Sequence, residues 1–172
     1  KLIFNRFKHA LHLQIVIAAM VWGIGIITGI LLSISLQTPY FPIFQSAFTE
    51  VPEPYFVLLV NLLPVAVMTL SLKYRLAWLC YPLFFFYALC HGFCGMLSIL
   101  IFGSSAWLVR PLFLFSGSCM SVILWWLFFR HTTRKQISFA KDIFIACIVA
   151  CSVSLIDTYL VAFHLNHLIN YF

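Results

Sequence analysis

At 172 residues, 64% of them hydrophobic and only 8% charged, the chain has too few polar groups for a water-soluble domain of its size. Its formal net charge of +6 comes from 10 Lys and Arg residues scattered between apolar runs, which leaves no continuous basic face and argues against a nucleic-acid interface. The six cysteines, Cys80, Cys90, Cys94, Cys119, Cys147 and Cys151, lie in or beside those runs without zinc-module spacing, so they read as small polarizable hydrophobes.

An all-α, polytopic membrane bundle follows, forming one integral membrane domain over residues 1–172. A spanning helix needs ~20 apolar residues, and five runs meet this: Leu13–Leu36, Tyr55–Leu72, Ala77–Phe102, Leu112–Phe129 and Ile143–Phe163. The first is too long for a signal peptide and has no small-residue cleavage site, so it is expected to stay in the mature protein. Basic residues favour the cytoplasmic side. Lys1, Arg6 and Lys8, then Lys73 and Arg75, then Arg130, Arg134, Lys135 and Lys141 all fall on one side of a five-span layout. Only Arg110 falls on the other. The N-terminus is therefore expected in the cytoplasm and the C-terminus outside, in a cell membrane.

In chain order, Lys1–His12 mixes basic and apolar residues, as in an interfacial helix or the start of the first span. That span carries Gly25 and Gly29, a small-x-x-x-small pair suited to close helix packing within the bundle. The segment 37–54 holds four prolines, Pro39, Pro42, Pro52 and Pro54, which are expected to break any long helix. Between them Tyr40, Phe41, Phe44 and Phe48 recur near helical spacing. A short outer interfacial helix is expected there, with these aromatic residues as a candidate surface for a partner protein.

The second span joins Asn61 to Pro64, so an amide and a freed backbone carbonyl occur together. The third places His91, Gly92, Cys94 and Gly95 near its middle, with Gly92 and Gly95 as packing positions. The fourth is expected to begin at Pro111, a favourable first-turn residue, and carries Ser116, Gly117 and Ser118. The loop 130–141, with Arg130, Arg134 and Lys135, is the most charged stretch and suits a topology anchor or a site for phosphate headgroups. The fifth span carries Asp157.

Depth arithmetic joins these groups. At ~1.5 Å per residue, His91 and Asp157 both lie roughly 21 Å above the cytoplasmic start of their spans, and Asn61 lies about 9 Å below the outer start of its own. A carboxylate facing lipid is costly, so Asp157 is expected inside the bundle with His91 and Asn61 as neighbours. The plain reading of this layer is an interhelical hydrogen-bond cluster; a transport or proton-relay site is the alternative. A membrane cysteine peptidase built on Cys90, His91 and Cys94 ranks third, since no orienting group is evident. No cofactor is expected: His9, His12, His131, His164 and His167 lie near or beyond interfaces and cannot pair with His91 as a second haem ligand. His164 and His167 could meet a metal only adventitiously.

The five-span layout, with an aromatic outer segment, Gly92-Phe93 followed by Gly95, and Asp157 two residues before Tyr159, resembles the stage II sporulation protein M family. The second glycine follows three residues after the first where the family favours four, and Asp stands where Glu is commoner. The resemblance implies a non-enzymatic scaffold that holds cell-wall-degrading partners at the membrane, as a homo- or hetero-oligomer. Family relatives in transporter-like complexes keep a permease subunit open.

Overall fold

The computed structural model describes the backbone of residues 2–49, 53–74, 76–133 and 139–161, and the side chains of most positions within 13–36, 53–104, 114–132 and 140–159. Every long element is helical: α1 (Leu2–Thr49), α2 (Pro54–Lys73), α3 (Cys80–Phe102), α4 (Ala106–Thr133) and α5 (Phe139–Ile156). Short 3₁₀ turns at Ala77–Leu79 and Gly103–Ser105 lead into α3 and α4, and a π turn over Asp157–Val161 follows α5. This is the expected outcome for apolar sequence in lipid, where each backbone N–H and C=O must be satisfied within its own segment. Four helical stretches are long and apolar enough to cross a membrane: Leu13–Leu36, Pro54–Lys73, Cys80–Phe102 and Ala140–Tyr159. The described apolar part of α4, Leu114–Arg130, is shorter.

Boundaries follow local chemistry at several ends. Pro54 opens α2 after an extended Glu53 (φ −63°, ψ 133°), the position where a missing N–H costs nothing. α3 stops at Gly103, whose φ of +54° an L side chain rarely adopts.

Two expectations fail here. α1 does not end before Pro39; it continues unbroken through Pro39 and Pro42 to Thr49. Each proline removes one helical hydrogen bond and crowds one carbonyl, and membrane helices tolerate that where other groups take up the freed carbonyl. The segment 37–49 is thus part of α1 rather than a separate interfacial helix, and Lys1–His12 is likewise continuous with it from Leu2. In α4 the start is Ala106, so Pro111 lies inside the helix and not in its first turn.

The packing order is α1 on α3, α3 on α4, and α4 on the α2–α5 pair. Contacts give the helix directions. Along α1 and α3, Trp22 meets Phe84 and Gly29 meets Leu89 and Phe93, so the two run parallel. Between α3 and α4, Phe84 meets Phe128 while His91 meets Gly117, so they run antiparallel. α4 and α5 are antiparallel too, since Arg130 meets Asp142 and Ser116 meets Asp157.

Glycines set the α1–α3 spacing. A Cβ on Gly25 would stand 2.6 Å from the Phe85 carbonyl oxygen and 2.8 Å from the Ala88 Cβ. One on Gly29 would collide with the Leu89 carbonyl, and one on Gly92 with the Ile26 carbonyl. Below this seam an aromatic cluster ties three helices together: Phe84 stacks on Trp125 with ring centroids 4.6 Å apart and meets Phe128 edge-on at 5.3 Å. Trp22 of α1 closes it against both Phe84 and Trp125. Val65, Met68, Leu124, Leu127, Ala146 and Ala150 extend the buried core toward α2 and α5.

Candidate functional site: a polar layer beside a membrane-level cavity

Polar residues from α2, α3, α4 and α5 meet at one level of the bundle. Asn61, 3% exposed, donates through Nδ2 to the Ser154 hydroxyl at 3.0 Å. Ser154 in turn donates to the Ala150 carbonyl at 2.8 Å, and Thr158 donates to the Ser154 carbonyl at 2.8 Å. One turn on, the Ser116 hydroxyl of α4 stands beside the Asp157 carboxylate. Asp157 is half-buried and stands where α5 passes into its π turn. Beside Ser116, Gly117 leaves room for the imidazole of His91, whose Nδ1 lies 3.0 Å from where a Gly117 Cβ would be.

Each of the three residues expected to meet in this layer also touches a further residue. Asn61 bonds Ser154, Asp157 neighbours Ser116, and His91 packs on Gly117. α4 packs against both α3 and α5, so its small residues Ser116 and Gly117 stand beside Asp157 and His91. Ser118, which shares their depth, is exposed and takes no part.

A cavity of ≈440 Å³ lies between α2 and α3 and is backed by α4. Asn61, His91, Ser116 and Gly117 form part of its wall, together with Tyr87, Cys90 and Cys94. Val60, Pro64, Leu83, Phe86 and Leu114 supply the apolar remainder. Pro64 has no N–H, so the Val60 carbonyl loses its ordinary helical donor. Asp157 is not among these lining residues, but Ser116 of the wall stands beside its carboxylate. Among the described residues no cluster of three or more His, Cys, Asp and Glu has metal-binding geometry.

The remaining candidates have separate places. Gly25, Gly29 and Gly92 form the α1–α3 seam; Gly95 is buried, and its carbonyl accepts from Ser98 at 2.8 Å. Tyr40, Phe41, Phe44 and Phe48 fall on the helical backbone of α1, with side chains outside the described residues, as are Arg134 and Lys135 altogether. Arg130 is not in a loop. It belongs to α4, where its Nε lies 3.0 Å from Asp142 Oδ2 of α5 and its guanidinium lies 5.2 Å from the Trp126 ring centre. Asp142 is fully buried, a partnership that charge counting alone does not show.

No family model matches the chain. Neither does any curated protein or solved structure.

Proposed function

We propose that the chain is a non-enzymatic scaffold subunit of a membrane complex, crossing the cell membrane five times with its N-terminus cytoplasmic and its C-terminus outside. The observation that carries this reading is α1. Its 48 residues make about 72 Å of helix, more than twice the ~30 Å of bilayer hydrocarbon. The glycine seam fastens its apolar span to α3, while 37–49 continue as about 20 Å of further helix. In a continuous helix the positions of Tyr40, Phe44 and Phe48 recur every four residues, and that of Phe41 lies three before Phe44. Such spacing suits recognition of an apolar groove on a partner. The parallel run of α1 with α3, the antiparallel α3–α4 and α4–α5 pairs and the one-sided Lys and Arg distribution support five crossings. The sequence resemblance supplies the partner class, wall-degrading enzymes held at the membrane.

Affinity capture of the full chain from native membranes, followed by mass spectrometry, tests this. Co-capture of wall hydrolases, lost when Tyr40, Phe44 and Phe48 are replaced together by serine, is the expected result. Capture unchanged by those substitutions refutes the role assigned to the segment. Reporter fusions at the two ends check the orientation.

A second reading, the membrane subunit of a permease, is favoured by the cavity lined by His91 and Ser116 and by Asp157 beside Ser116. It requires water to reach this layer from one side, so a charged methanethiosulfonate should modify Cys94 in sealed vesicles. Protection of Cys94 from that reagent on both sides counts against transport.

A further inference from the structure

We infer that the α2–α3 cavity is a binding site for a neutral, single-chain lipid with a hydroxyl-bearing head, of the monoacylglycerol class, which enters sideways from the bilayer. This goes beyond the scaffold reading and shares with it only the membrane placement.

Access comes first. The rim residues Val60 and Phe86 are 45% and 64% exposed, Cys90 is exposed as well, and all three lie inside the apolar spans of α2 and α3. Measured from Cys80, Phe86 and Cys90 stand about 9 and 15 Å along α3, at hydrocarbon depth. Whatever reaches that mouth must be soluble in hydrocarbon.

Charge selects next. The wall contains no Lys, Arg, Asp or Glu among the described residues, so a phosphate-bearing head would be buried in low dielectric without a fixed cation, at heavy cost. A hydroxyl is different. The Asn61 amide, the Ser116 hydroxyl and the His91 ring line the inner wall, and the Val60 carbonyl is short of its helical donor because of Pro64. Hydrogen bonds to these groups offset the modest desolvation of an uncharged head. Size agrees: ≈440 Å³ lies in the lower part of the range for small-molecule sites. It accommodates one chain segment and a compact head.

The test uses the full chain reconstituted in zwitterionic phospholipid vesicles, with a diazirine-bearing monoacylglycerol and a phosphatidylglycerol carrying the diazirine at the same chain position. The neutral probe should crosslink to the α3 peptide containing Cys90–Cys94, and unlabelled monoacylglycerol should compete it away. Labelling by the anionic probe should be about tenfold weaker, the ratio that ~1.4 kcal/mol gives. Cys90→Trp, a change at an exposed rim position, should reduce neutral-probe labelling to a similar degree. If that variant does not fold, wild-type competition decides alone. Equal labelling by both probes, or labelling that excess monoacylglycerol does not displace, overturns the inference. So does modification of Cys94 by a charged thiol reagent, which shows a hydrated cavity. Loss of partner capture with neutral-lipid labelling intact separates failure of the scaffold reading from failure of this one.

Discussion

Replacing Gly29 by alanine should pry α1 from α3. The new methyl would collide with the Leu89 carbonyl oxygen and lie 2.8 Å from the Phe93 nitrogen. Both are backbone atoms, so no side-chain rotation relieves the clash and the helices must separate. Overpacking costs about 1–3 kcal/mol, and a rigid backbone neighbour places this site near the upper figure. Alanine's better helix propensity returns about 1 kcal/mol, leaving a net loss of ~2 kcal/mol. For a chain of this size that corresponds to a Tm lower by about 4–8 °C. Gly23→Ala is the internal control, because a Cβ there meets nothing within 4 Å. It gains the same propensity without the clash, so the two variants should differ by ~3 kcal/mol. Thermal unfolding in detergent micelles, followed by tryptophan fluorescence, measures this, since Trp22 and Trp125 sit in the cluster beside the seam. Equal midpoints for Gly29→Ala and Gly23→Ala would refute the glycine seam as the α1–α3 contact.

Three further outcomes are expected. Arg130→Ala removes the guanidinium bonded to the fully buried Asp142 and should cost about 3 kcal/mol, while Arg130→Met with Asp142→Leu should recover most of that loss; denaturant titration of the three variants checks it. Asn61→Leu and Ser154→Ala should show a coupling of about 1 kcal/mol in a double-mutant cycle, and additive effects would remove the bond between α2 and α5 from the account. Phe84→Ala, at a fully buried site ringed by Trp22, Trp125 and Phe128, should destabilise by about 3–5 kcal/mol and blue-shifted tryptophan emission should be lost before global unfolding.

Element positions were legible wherever an apolar run ends in turn chemistry. The run 55–72 becomes Pro54–Lys73, and 77–102 becomes a 3₁₀ turn followed by Cys80–Phe102. Legibility failed at prolines, because a proline reports one lost hydrogen bond and not whether surrounding groups compensate for it. Pro54 does begin a helix, yet Pro39, Pro42 and Pro111 lie within theirs. For the polar layer, depth along each helix was legible from residue counts, but direction around the axis was not. Asn61 and Asp157 sit at comparable levels but turn to different partners, Ser154 and Ser116. Gly117 carried no polar signal; its value is the space it leaves for His91. Arg130 looked like a loop charge because the length of α4 was underread, and its pairing with Asp142, 12 positions away, depends on the antiparallel return of α5.

The parallel docking of α1 on α3 also orders the protein's assembly in time. Gly29 and Gly92 are about 60 residues apart, so at ~5–20 residues per second α1 is made several seconds before its partner surface exists. During that interval α1 must persist in the bilayer by itself, and its Leu13–Leu36 stretch, with an 18-residue window of mean hydropathy 2.5, suits it to wait there surrounded by lipid. Final assembly is then a lateral association between finished helices, and a mutation in the seam would leave a membrane-inserted but undocked first helix for quality-control proteases to recognise.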